Sequence, residues 1–93
     1  MDYTSVKILG NSPLNITQKN ILGDFQDYDE NIIIGDYTFK VTKRLLIDYI
    51  EPLIDMNGYL NIFNSVYKVL HIKNYSDYQE LWLYLLNRQS EVV

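Results

Sequence analysis

The chain has 93 residues, 47% of them hydrophobic, with nine tyrosines, three phenylalanines, one tryptophan and a net charge of −4. That length fits one compact domain, residues 1–93, and the apolar share excludes an intrinsically disordered chain. The lack of cysteine excludes a disulfide framework, a thiolate nucleophile and a thiolate metal site, and the acidic balance weighs against a general nucleic-acid binder.

The N-terminal segment MDYTSVKILG carries an acidic residue at position 2 and no basic-then-apolar run, so it does not read as a signal peptide. Within it, YTSVKIL reads as a strand with Val6 and Ile8 on one face. The turn residues GNSP follow, and LNITQKNILGDF then reads as a short helix or an irregular crossover that stops at Gly23.

Residues 31–41, NIIIGDYTFKV, carry the clearest local signal. Gly35-Asp36 separates two β-prone runs by two residues, the spacing of a tight hairpin. Pairing Ile34 with Tyr37 and Ile32 with Phe39 puts Ile32, Ile34, Tyr37, Phe39 and Val41 on one apolar face, and Asn31, Ile33, Thr38 and Lys40 on the other.

In VTKRLLIDYIEPLIDMNG, Thr42 has N-cap chemistry and Asn57-Gly58 is a stop signal. Leu46, Ile50, Leu53 and Ile54 fall together at helical spacing, opposite Arg44, Asp48, Glu51 and Asp55. This predicts a helix over 43–56, kinked or broken near Pro52, which removes a backbone donor. Residues 58–74 alternate again. A turn at Asn64-Ser65 predicts a second hairpin that sets Ile62 opposite Tyr67 and Leu60 opposite Val69 on the core face. Tyr59, Asn61, Phe63, Val66, Lys68 and Leu70 lie outside. Ser76 and Gln79 have capping-box spacing, predicting a helix over 77–89 with Tyr78, Leu81, Trp82 and Leu85 buried. The expected class is α+β: an antiparallel sheet of four or five strands with two helices, in the order β, irregular, ββ, α, ββ, α.

The charges are unevenly spread. Asp24, Asp27, Asp29, Glu30 and Asp36 place five negative charges and no positive one in residues 24–36, so the other eighty residues, with seven acidic and eight basic side chains, sum to +1. Asp27, Asp29 and Asn31 match the first, third and fifth ligands of an EF-hand loop. Ile32 stands where that loop needs glycine and Thr38 where it needs glutamate, so no metal site is expected. The single histidine, His71, lies among Val69, Leu70 and Ile72 and reads as structural. No glycine-rich phosphate loop or nucleophile elbow is present, and no catalytic residue or cofactor is expected.

These features predict a non-enzymatic, cytoplasmic binding module, free of membrane, whose partner is a protein with a basic surface. Its contact residues would be Asp24, Phe25, Asp27, Tyr28, Asp29, Glu30, Asp36 and Tyr37, charge supplying attraction and rings the apolar contact. Tyr59 and Phe63, with Leu83 and Tyr84 on the far side of the last helix, form an expected oligomer interface. In size, acidity and lack of motifs the chain resembles the small inhibitors that phages and mobile elements direct at host nucleic-acid-handling or defence proteins, anti-CRISPR proteins included. That likeness is one of type and covers no alignable motif. The alternatives are a small DNA-binding regulator using Lys43 and Arg44 at the start of helix 43–56, and a subunit of a larger assembly.

Overall fold

In a computed structural model, which describes residues 3–88, the chain is all β. The strands are β1 (Tyr3–Gly10), β2 (Lys19–Ile34), β3 (Tyr37–Ile47), β4 (Tyr59–Ile62), β5 (Ser65–Asn74) and β6 (Gln79–Arg88). All neighbours are antiparallel, in the order β1-β2-β3-β6-β5-β4, and the sheet closes where Ile8 of β1 meets Leu60 of β4.

This overturns the α+β expectation. The segments read as helices 43–56 and 77–89 supply β3 with the β3–β4 connection, and β6, and the segment read as a short helix or crossover enters β2. The cause is visible in the alternation. On β3, Val41, Leu45 and Ile47 point inward and are buried, while Leu46 lies on the outer face with Arg44. Ile50 and Leu53, counted toward a helical stripe, are exposed in the connection. Pro52, an obstacle to a helix, occupies the second position of a turn in which Ile54 N–H donates to the Glu51 carbonyl at 3.4 Å. On β6, Leu81 and Leu83 face the core and Glu80 and Trp82 face outward.

A six-stranded barrel is narrow enough for side chains to fill it. Val6, Ile8, Ile21, Leu45, Ile47, Leu60, Ile62, Tyr67, Val69, Leu81 and Leu83 do so, with Ile54 entering from the β3–β4 connection. Each fully buried aliphatic side chain contributes about 1.5–3 kcal/mol over its exposed state.

The second hairpin keeps its expected inward face but not its expected register. Its turn is Phe63-Asn64, both residues at positive φ, so Leu60 pairs with Tyr67 and Ile62 with Ser65. A shift of two residues keeps Leu60, Ile62, Tyr67 and Val69 on the inward face, but Val66 and Leu70, expected outside, are buried, each at a register shift between β5 and β6.

β2 is the longest strand, and two features let it leave the barrel wall. At Gly23 a methyl group would lie 2.7 Å from Leu45 Cδ1 and 3.2 Å from the Leu46 carbonyl oxygen, so the missing side chain lets β2 press onto β3. Between Asp27 and Glu30 the register slips by one residue, a bulge that bends the strand. Gly23→Ala is therefore expected to cost about 1–3 kcal/mol through overpacking against the buried Leu45. Chemical denaturation would measure this, and an unchanged midpoint would mean that Leu45 yields.

Beyond the bulge, β2 and β3 continue as a two-stranded arm. Pairing of β3 with β6 ends at Lys43 opposite Leu83, while β2 and β3 stay paired to Ile34 opposite Tyr37. The connections 11–18, 48–58 and 75–78 lie at one end of the barrel, and the arm and the Phe63-Asn64 turn at the other.

Candidate functional site

The eight residues of the expected contact segment separate into two groups, divided by the bulge. Those before it are held by contacts within the fold, though Asp27 stays exposed. Asp24 is buried on the outer wall and accepts a hydrogen bond from Gln26 Nε2 at 2.6 Å. Gln26 Oε1 accepts from Arg44 Nε at 2.8 Å, and the Arg44 guanidinium lies 3.6 Å from Glu80, which accepts from Trp82 Nε1 at 2.9 Å. Asp24 is thus tied into a polar chain across β2, β3 and β6.

Phe25 turns into the arm-side mouth of the barrel. Its ring meets Tyr67 at 5.5 Å and Phe63 at 6.2 Å, with the Lys43 ammonium 5.3 Å from its centroid. Burial pushes the Tyr67 phenol above its ordinary pKa, against the lowering effect of Lys43. Asp27 is hydrogen-bonded to Lys43. Tyr28 packs on Trp82 at 5.4 Å, with Arg44 5.0 Å from its ring. Lys43 and Arg44, assigned on sequence to the basic start of a helix, are strand residues already paired with acidic groups.

After the bulge the remaining contact residues stand in solvent, although Val41 on β3 stays buried and Phe39 packs on Tyr84 of β6. Asp29 and Glu30 are exposed, Asp29 lying 4.0 Å from the Lys40 ammonium, and Asp36 is exposed in the turn. Tyr37 is 72% exposed. Their neighbours are not among the expected contact residues: Ile33, set on the polar face by the sequence reading, is 74% exposed, and Ile34, set on the apolar face, is 42% exposed. The hairpin pairs Ile34 with Tyr37 and Ile32 with Phe39 as its spacing predicts, but it projects past the core that its apolar face was expected to cover. One signal was present, since three consecutive isoleucines must put Ile33 on the polar face.

The expected oligomer interface does not hold together. Leu83 is fully buried inside the barrel, because β6 is a strand and its odd-numbered residues face inward. Tyr84 is half-buried, its ring edge-on to Phe39 at 5.2 Å, and Tyr59 is half-buried with Lys68 over its ring. Phe63 remains exposed, at the arm end. His71, read as structural, lies against Trp82 at 4.9 Å on the outer face.

Among the described residues, no three histidine, aspartate or glutamate side chains gather as metal ligands would. A pocket beneath the β3–β4 connection is lined by Ile8, Leu53, Ile54, Leu60 and Val69, with Asp55 its one carboxylate. It does not assemble an acid–base pair. Neither a protein-family model nor a curated protein matches the chain. The features that distinguish its surface are the arm and, at the opposite end, the exposed apolar side chains of the connections.

Proposed function

We propose that the protein is a non-catalytic binding module that docks on a partner protein through the β2–β3 arm. The observation that carries this reading is the exposure of Ile33, Ile34 and Tyr37 on a ribbon lying outside the barrel and edged by Asp29, Glu30 and Asp36. Apolar side chains kept in water beyond the core gain nothing for folding, and on contact with a partner each recovers its burial energy. The carboxylates give that contact a sign. From Asp27 to Lys43 four acidic residues stand against Lys40 and Lys43, a net of −2, which favours a basic partner surface and makes association weaken with salt. An inhibitor of a nucleic-acid-handling protein fits this chemistry, since such proteins carry basic surfaces.

Affinity capture from the native host's lysate tests the reading with two arm variants, Ile33→Ser/Tyr37→Ser and Asp29→Asn/Glu30→Gln/Asp36→Asn. All five side chains are exposed, so the fold should persist. Both variants are expected to lose the partner held by the wild type, and raised salt should release it. Recovery of the same partner by both variants would overturn the arm as the contact.

A second reading, a subunit held between neighbours in a larger assembly, draws on the opposite end. There Leu14, Ile16, Tyr49, Ile50, Leu53 and Met56 are exposed, Ile16 at 88%. A protein retained by the arm variants and lost from Ile16→Ser/Met56→Ser would favour it.

A further inference from the structure

We propose that the arm binds by strand addition: the outer edge of β2 pairs with an extended segment of a partner protein in which a short basic stretch adjoins an apolar one. The inference rests on the reading of the arm as the docking element and adds how the partner is held.

β2 has a strand on each side only over its first part. Its pairing with β1 ends at Asp24 opposite Tyr3, while its pairing with β3 runs on to Ile34. From Asp27 onward, the side of β2 away from β3 has no strand partner among the described residues. The Asn31 N–H shows the consequence, donating to the side chain of the preceding residue, Glu30 Oε1, at 3.1 Å. Backbone amides of alternate residues in a strand point the same way, so the Ile33 N–H points outward too. An incoming strand would satisfy both amides, as in edge-strand recognition generally.

The other edge of the arm is less open. Along β3, Tyr84 packs against Phe39 and Lys40 stands beside the edge, and a lysine there is a common obstacle to added strands. The β2 edge instead carries Asp29 and Glu30 next to Ile32, Ile33 and Ile34. Cross-strand neighbours on an added strand are favourable when they are basic opposite the former and apolar opposite the latter. A second copy of this chain would set Asp29 and Glu30 against themselves in a parallel edge-to-edge pair and against the isoleucine run in an antiparallel one, so neither arrangement meets the carboxylates with a basic group.

The test uses the whole protein and a short end-blocked peptide in which a run of valines is followed by lysines, so that antiparallel pairing sets the lysines opposite Asp29 and Glu30, with glutamates in place of the lysines as control. Binding is followed by backbone amide shifts and amide exchange. The lysine peptide is expected to shift residues 27–34 and to protect the Asn31 and Ile33 amides, while the glutamate peptide leaves them unchanged. Two substitutions separate backbone pairing from side-chain contact. Ile33→Ala removes the side chain and keeps the amide; Ile33→Pro removes the outward amide as well, at an edge position that proline tolerates. The proline variant is expected to bind about tenfold more weakly than the alanine variant, the effect of losing one backbone hydrogen bond. Equal affinities would overturn strand addition and leave the arm as a side-chain docking surface. Absence of any shift in 27–34 would overturn it as well. Loss of partner capture by the arm variants, measured separately, reports on the docking element itself. Edge protection that grows with protein concentration and no peptide would assign the edge to a second copy and also overturn the proposal.

Discussion

Replacing Glu51 with glutamine is expected to cost about 2 kcal/mol at neutral pH, and replacing it with alanine about 3–5 kcal/mol. Glu51 is a carboxylate taken wholly out of solvent at the end of the barrel away from the arm. It is held by the Lys19 ammonium at 2.8 Å, the Tyr49 hydroxyl donating at 2.8 Å and the Leu53 N–H donating at 3.1 Å, while its own N–H donates to Gln79 Oε1 at 3.4 Å. These contacts pin the β3–β4 connection across the barrel and carry Ile54 into the core. Glutamine keeps the shape and loses the charge-assisted bonds; alanine also strands the Leu53 amide. Against a total stability of about 5–15 kcal/mol for a small domain, either loss is large.

The same site sets a pH dependence. Burial pushes the Glu51 carboxyl upward, but the bonds from Lys19, Tyr49 and Leu53 outweigh it and hold the pKa below its ordinary 4.5. A group depressed on folding stabilises above its unfolded pKa, and that contribution disappears as pH falls through the folded value. Lys19 is raised above 10.5, first by its bond to Glu51, and Tyr49 above 10.0, by burial and then by its own bond to Glu51. Their contributions are complete below those values and lost above the folded ones. Thermal melts should therefore show a plateau between about pH 5 and pH 10, with wild type and Glu51→Gln converging on the acid side. A wild-type advantage undiminished well below pH 4.5 would contradict the depressed carboxyl.

How far the sequence revealed this structure depended on whether one strand face was polar. β1 was legible because Thr4, Ser5 and Lys7 surround Val6 and Ile8. The first hairpin was legible because Gly35-Asp36 fixes its turn, and the inward face of the second survived an error of two residues in register. β3 and β6 were not legible because apolar residues occupy both of their faces. Leu46 sits beside Leu45, and Trp82 and Tyr84 alternate with Leu81 and Leu83, so the two-residue period is hidden and a helical stripe emerges. Their outer faces are covered by partners distant in sequence: Tyr28 and His71 on Trp82, Phe39 on Tyr84. The candidate site divided for the same reason. Asp27 finds Lys43 and Tyr28 finds Arg44 only when β2 and β3 pair, and local charge counting cannot anticipate that pairing. Asp29, Glu30, Asp36 and Tyr37 lie beyond the barrel and kept the exposure expected of them.

Leu83→Lys and Leu85→Lys decide between the two descriptions of the last element, because each description buries a different member of the pair. A helix over 77–89 buries Leu85 and leaves Leu83 in water, so Leu83→Lys would be tolerated and Leu85→Lys would be severe. In the barrel, Leu83 is 0% exposed between Lys43 and Val69 on the neighbouring strands, while Leu85 is 46% exposed near the strand's end. Truncating a leucine so placed to alanine costs about 2–5 kcal/mol. Lysine adds the penalty of an ammonium without a counter-ion in the core, and its nearest inward charge, Lys43, has the same sign. Leu83→Lys is therefore expected to abolish cooperative unfolding and yield an unfolded or aggregated chain. Leu85→Lys is expected to fold with a loss of about 1 kcal/mol, its longer side chain carrying the ammonium to solvent. Circular dichroism and thermal melts on the two variants read the difference directly. A folded Leu83→Lys beside an unfolded Leu85→Lys would refute the barrel register of β6, and with it the placement of β3 that frees the arm.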